Sequence, residues 1–145
     1  MTSQELLERY ANGERNFSSV DLSGANLIGV VLEDIIFEET TLKGVKFSRS
    51  ILNRANFRNA NLKGTEFDMT SLNKADFRGA YLEGSLIVET SLIRANFEGA
   101  IFRGYIPAGG YTFETVMQDG SIDTCDDPGR DKAIALGESG FWEST

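Results

Sequence analysis

The sequence predicts an all-β solenoid, a chain that turns a corner every five residues and gathers its large side chains into one interior. Three observations predict it. From Phe17 a large apolar residue returns at every fifth position, through Leu22, Leu27, Leu32 and Phe37, without a break to Phe97 and Phe102. A small residue sits two positions before most of these, as at Ala25, Thr40, Ser50, Ala55 and Thr90, with Arg15 and Ile35 as the departures. Glycine stands two positions after the large residue eight times, from Gly24 to Gly104. A period of five fits neither a helix, at about 3.6 residues per turn, nor a simple strand, at about 2. It fits a chain with two of every five side chains turned inward.

The units Ala25-Asn26-Leu27-Ile28-Gly29 and Ala75-Asp76-Phe77-Arg78-Gly79 resemble the pentapeptide repeat family, and the resemblance spans residues 15–104. It implies a right-handed, quadrilateral parallel β-helix with four pentapeptides to a coil. The sorting of residues tests that coil size independently, because four units per turn would stack residues 20 apart. One such column reads Phe17, Phe37, Phe57, Phe77 and Phe97, and another reads Leu32, Leu52, Leu72 and Leu92. A third runs Leu22, Leu42, Leu62, Leu82 and Phe102, with glycine at every corner from Gly24 to Gly104. Only Leu27, Phe47, Phe67 and Ile87 mix. A coil of three units would scramble this order. The eighteen units make about four and a half coils, and at a strand spacing of ~4.8 Å the stack is roughly 22 Å tall.

Each end of such a stack exposes strand edges that need covering. Residues 1–14 read as an N-terminal capping helix, with Ser3 as N-cap, Leu6, Leu7 and Tyr10 on one face, and Gly13 at its end. After Gly104 the register stops at Ile106-Pro107-Ala108-Gly109-Gly110, and residues 105–145 read as a non-repeat tail packing on the last coil. A hairpin is expected to turn at Asp119-Gly120. Residues 123–130 read as an acidic loop, 131–137 as a helical turn, and Phe141-Trp142 as an apolar anchor. The stretch Thr115 to Ile122 is similar to the tails of cyanobacterial members of the family. Outward apolar residues Tyr81, Leu86, Val88, Ile93 and Ile101 gather at this end, where the tail is expected to cover them. Ile28, Val31, Ile36 and Ile51 gather near the other end and form the candidate interaction patch, Val31 and Ile51 standing one coil apart.

Composition excludes several chemistries. The chain has no His, which removes imidazole bases and metal ligands, and one cysteine, Cys125, which removes an internal disulfide and any CxxC site. Cys125 also neighbours Asp126 and Asp127, whose charges disfavour its thiolate. The column Asn16, Asn56, Asp76 and Asn96 could pass for a polar active strip, but these are turn-forming residues at the turn position. No catalytic residue, cofactor site or metal site is assigned. The acids Asp119, Asp123, Asp126, Asp127 and Asp131 lack the spacing of a calcium loop. No apolar run approaches the ~18 residues of a membrane span. The N-terminus shows no secretory pattern, so a cytoplasmic chain is expected.

The net charge of −8 is unevenly placed: residues 1–14 carry −2, residues 105–145 carry −6, and residues 15–104 balance eleven bases against eleven acids. Arg54, Lys74 and Arg94 even form a basic column. Overall acidity disfavours direct nucleic-acid binding. The resemblance implies a non-enzymatic interaction or scaffold module of unassigned role, working on an unidentified protein partner as a monomer or as an end-to-end or tail-mediated dimer. Some family members mimic DNA and inhibit or protect gyrase and other type II topoisomerases, which is the alternative reading. A neutral body shorter than the ~34 Å turn of B-DNA fits that mimicry poorly. A metal or small-molecule site in the acidic tail is the second alternative.

Overall fold

Every backbone N–H of a pentapeptide has a destination, and those destinations build the coil. The unit Asp76–Ala80 shows all five. The Asp76 N–H donates back to Ala55 O at 2.9 Å, and the Phe77 N–H donates forward to Asn96 O at 2.7 Å. The Arg78 N–H is taken by the Asp76 side chain at 3.1 Å, the Gly79 N–H by Glu98 O at 3.3 Å, and the Ala80 N–H by Phe77 O at 3.0 Å. Complete pairing of this kind is what a buried backbone requires. The structure, a computed structural model that describes residues 1–102 and 109–123, repeats this pattern along the chain. Parallel bridges consequently link positions 20 residues apart, as in Asn16↔Ile36, Ile36↔Asn56, Asn56↔Asp76 and Asp76↔Asn96.

The corners explain the glycines. Every fifth residue from Ser19 to Gly99 has a positive φ, between 48° and 73°. Glycine accepts this backbone freely, but Arg49, Lys74 and other side-chain-bearing residues adopt it too, at a cost of roughly 1–2 kcal/mol each. Gly79 is required on a second count, since a Cβ there would stand 2.3 Å from the Asn59 Oδ1.

Inside, the Phe and Leu columns are closed to solvent, none of Phe17 to Phe97 or Leu32 to Leu92 exceeding 1% exposure. Rings stack along the axis, Phe57 on Phe77 at 5.0 Å and 10°, and Phe77 on Phe97 at 4.6 Å and 2°. Phe67 meets Phe77 edge-on at 6.1 Å and 90°, so the neighbouring column locks the stack from the side. The small inward residues do more than fit. The buried hydroxyls of Thr40, Ser50, Thr65, Thr70 and Thr115 donate to carbonyls 23 residues earlier, those of Phe17, Leu27, Leu42, Phe47 and Leu92, at 2.7–3.0 Å. Ile35, large where the series is small, is fully buried below the alanines Ala55, Ala75 and Ala95. Arg15, the other departure, turns its guanidinium 3.8 Å over the Tyr10 ring.

The N-terminal end is covered by α1, Ser3–Ala11. Its N-cap is Thr2 rather than Ser3: Thr2 has extended backbone angles, and its hydroxyl accepts the Glu5 N–H at 3.1 Å. Leu6 is fully buried and Tyr10 half-buried, whereas Leu7, assigned by sequence to the same face, is 37% exposed. Residues four apart share a helix face and their immediate neighbours do not.

The C-terminal boundary moves. After β1 (Val88–Ser91), the strand β2 (Gly109–Tyr111) pairs with it in parallel, and the repeat resumes. The N–H groups of Leu92, Arg94 and Phe97 donate to Tyr111 O, Phe113 O and Val116 O, each at 2.8 Å. Thr112, Thr115 and Met117 thus stand 20 residues beyond Leu92, Ala95 and Phe97, and a further part-coil extends the expected four and a half. Sequence reading stopped the register at Gly104 because these inward places hold Thr and Met instead of Leu and Phe. The strands β3 (Thr115–Val116) and β4 (Ile122–Asp123) then pair antiparallel around Asp119-Gly120. The acidic loop, the turn at 131–137 and the Phe141-Trp142 anchor lie outside the described residues.

Phe57 has Phe37, Phe47, Phe67 and Phe77 around its ring. Phe57→Ala is therefore expected to lower the unfolding free energy by about 3–5 kcal/mol in urea melts. A loss below about 1 kcal/mol would contradict an interlocked ladder.

Candidate interaction surface

With the interior filled, all chemistry open to a partner lies on the outward columns. The column beside the Phe ladder is turn machinery. Asn16, Asn56, Asp76 and Asn96 each accept the N–H two residues on, at 3.0–3.1 Å, as Asp21, Asn26 and Asn61 also do. Their oxygens are engaged in holding corners. A related ladder runs through Asn53 and Asn73, whose side chains accept the N–H groups of Asn73 and Ile93 one coil on, at 3.0 and 3.1 Å.

Charge is arranged in short self-neutralising sets. The basic column of Arg54, Lys74 and Arg94 is closed by acids at both ends. Arg54 Nε donates to Asp34 at 2.8 Å, and a terminal nitrogen of Arg54 donates to Glu33 at 2.7 Å. Arg94 Nε donates to Glu114 at 2.8 Å. Arg78 pairs with Asp76 at 2.7 Å. The Arg54 hydrogen bond holds the Asp34 carboxyl below the usual carboxylate range, against the opposing effect of burial. Burial would raise the Asp76 carboxyl, but hydrogen bonds from the Arg78 side chain and N–H outweigh it and leave the group lowered.

The structure divides the candidate apolar patch. Val31 and Ile51 bridge one another, and Ile28 lies at the corner before Val31, so these three form one surface. Ile28 and Val31 are 47% and 53% exposed, and Ile51 is half-buried. Ile36 bridges Asn16 and Asn56 instead, beyond the Glu33-Asp34 corner and off that surface. At the other end Leu86, Val88 and Ile101 are exposed, at 45%, 37% and 59%. Ile93, placed outward by the sequence, is only 2% exposed, and the coil continued by residues 109–118 sets Phe113 one step beyond it. Cover from residues 124–145 lies outside the described residues.

Of the tail acids, Asp119 accepts the Ser121 N–H and hydroxyl, at 2.9 and 2.6 Å, and Asp123 accepts the Thr112 hydroxyl. Both serve the hairpin. Among the described residues no group of three or more Cys, Asp or Glu could hold a metal ion. Cys125, Asp126, Asp127 and Asp131 lie outside them. Among the described residues, too, no helix is long and apolar enough to cross a membrane.

The lowered carboxyls set the direction of acid sensitivity. A group whose folded-state pKa is depressed stabilises the fold above its unfolded pKa, and that contribution is lost as pH falls through the folded value. Stability should therefore decline below about pH 4 as Asp21, Asp34, Asp76 and Asp119 take up protons. Urea midpoints of Asp34→Asn should fall less steeply than wild type between about pH 4 and pH 2. Equal slopes would deny the Arg54 pairing a role.

Comparison with known proteins places this architecture. The family model described as pentapeptide repeats matches in eight copies, over residues 16–54, 42–79, 50–87 and 70–104. No curated protein matches the chain. Among solved structures it is similar to Rfr23, a pentapeptide repeat protein from the cyanobacterium Cyanothece 51142, with 29% identity and a TM-score of 0.43 over 66% of this chain and 62% of that one. The chain thus spans about three fifths of that structure's length. It is also similar to alr5209, a pentapeptide repeat protein from Nostoc Pcc 7120, at 23% identity, covering 77% of this chain and 96% of that one, TM-score 0.40. A trypsin-treated form of QnrB1, a plasmid-mediated fluoroquinolone resistance protein, is 18% identical over 86% of this chain and 84% of its own, TM-score 0.38. With matched repeats running from residue 16 to residue 104, parallel bridges every 20 residues and a left-handed corner every five, the chain belongs to the pentapeptide repeat family.

Proposed function

We propose that this chain is a non-enzymatic interaction or scaffold module, a right-handed four-sided stack that presents its outward columns to a partner protein in the cytoplasm. One observation carries the reading. The interior is occupied from end to end by Phe and Leu columns with near-zero exposure, so the chain offers a partner its outer surface. Family membership supports it, since pentapeptide repeat proteins are in general structural or interaction modules. The polar columns that could mimic an active strip are committed to turns and ladders.

Mimicry of a DNA duplex would call for an extended run of uncompensated acid. The described surface instead alternates acid with base, as in Glu33 and Asp34 against Arg54, and Asp76 against Arg78. A scaffold needs no such field.

Two measurements separate the readings. Immobilised full chain is expected to retain a specific protein from native lysate, in amounts comparable to the bait. A variant ending at Asp123, which keeps the hydrogen-bonded coils, locates the binding in the solenoid or in the tail. The chain is expected to leave gyrase supercoiling unchanged at micromolar concentration. Inhibition in that range would overturn the scaffold reading in favour of a topoisomerase partner.

A further inference from the structure

Stacking leaves the first coil with an edge that no coil pairs. In later coils the residue before each large one uses both backbone groups on the coil behind it. The Lys46 N–H donates to Ala25 O at 3.1 Å, and Lys46 O accepts the Leu27 N–H at 2.8 Å. Ile51 does the same with Val30 and Leu32, both at 2.9 Å, and Ser48 O accepts the Gly29 N–H at 2.9 Å. The equivalent groups of the first coil are the N–H and C=O of Asn26 and Val31, with the C=O of Ile28. Among the described residues none of these has a hydrogen-bond partner.

The cap reaches the edge on either side of this stretch and leaves it open. The Met1 amino group meets Asp21 O at 3.4 Å, and the Tyr10 hydroxyl donates to Glu33 O at 2.9 Å. Asn16 and Ser18 leave similar groups, but beside them Arg9 lies 5.2 Å over the Phe17 ring and Arg15 is close by. Between Leu22 and Leu32 there is no charged residue at all. Ile28 and Val31 stand exposed along the stretch, and Ile51 continues Val31 one coil up. Natural sheets usually block such edges with lysine, proline or a bulge, and this one carries none of them.

We infer that the Asn26–Val31 edge takes an extended, uncharged apolar segment of a partner protein as one further strand. The inference rests on the reading of the chain as an interaction module and names where and how it binds. Backbone groups of the segment meet Asn26, Ile28 and Val31, and its apolar side chains lie against Ile28, Val31 and Ile51, the division of labour seen wherever a peptide adds to a sheet edge. A charged segment would bring its charge onto a surface with nothing to pair it. A second copy of this chain fits less well. α1 lies across the same end, anchored by Leu6, Tyr10 and Met1, so two copies would press helix against coil, whereas one strand lies beside the helix.

Random 12-residue peptides displayed on phage and selected on the full chain supply the probe. Selected peptides should be apolar and uncharged, and should bind Val31→Lys and Ile28→Lys at least about tenfold more weakly than wild type. Both positions are exposed, and unchanged thermal melts confirm that the variants fold. Bound peptide should slow amide exchange at Asn26 and Val31. Peptides that bind the lysine variants as tightly as wild type, or that protect amides elsewhere, overturn this edge and leave the interaction reading standing. Failure of any peptide to enrich also overturns the edge, while retention of a lysate protein judges the wider reading separately. Concentration-dependent dimerisation abolished by Val31→Lys would assign the edge to a second copy and refute the peptide partner.

Discussion

The hydrogen bond from one coil to the next is the interaction on which everything else rests. Each pentapeptide sends three N–H groups along the stack, as Asp76, Phe77 and Gly79 do, and the left-handed corner is what turns the third of them out of the coil's plane. A non-glycine corner costs roughly 1–2 kcal/mol. Three backbone bonds at about 0.5–1.5 kcal/mol net each outweigh it, provided a neighbouring coil is present to accept them. The strain of Arg49 or Lys74 is therefore a property of the stack rather than of the unit, and a lone pentapeptide has no reason to adopt the shape.

The same geometry decides what the surface can do. A coil only four pentapeptides around has room for side chains and nothing more, so Phe rings stack at 4.6–5.0 Å through the middle of the molecule. Polar outward residues sit one coil spacing from their counterparts and pair along columns, which leaves little free charge on the sides. What stays unsatisfied collects at the ends, where stacking stops. The N-terminal helix, the Tyr10 hydroxyl and the Met1 amino group answer part of this need at one end. At the other, the Gln118 amide donates to Ala100 O and Phe102 O at 3.4 and 3.1 Å. The open run from Asn26 to Val31 is the remainder, and its lack of charge makes it a surface for a partner.

Period and column sorting made the repeat legible from residues alone, because Leu and Phe are chosen at each inward place for size and apolarity. What escaped that reading has physical causes. Thr112 and Met117 fill inward places without being Leu or Phe, so the return of the register was hidden, although each stands 20 residues beyond a member of a recognised column. The hydroxyls of Thr40 and Thr65 registered as small, but their bonds to carbonyls 23 residues back cannot be seen without the third dimension. Ile36 grouped with Val31 by nearness in sequence, yet a corner lies between them and turns them onto different sides. The open edge is a backbone feature and leaves only an indirect mark, an uncharged stretch with two outward apolar residues.

The account stands on coils of four units, and deletion tests that most directly. Removing residues 53–72 takes out one full coil and returns every later residue to its own column. Removing residues 53–67 keeps the five-residue period but shifts every later column by one place. Urea unfolding of the two variants should give the higher midpoint to the larger deletion, although it leaves less chain to bury. A midpoint for the shorter deletion equal to or above that of the longer one would contradict the four-unit coil and the column matching built upon it.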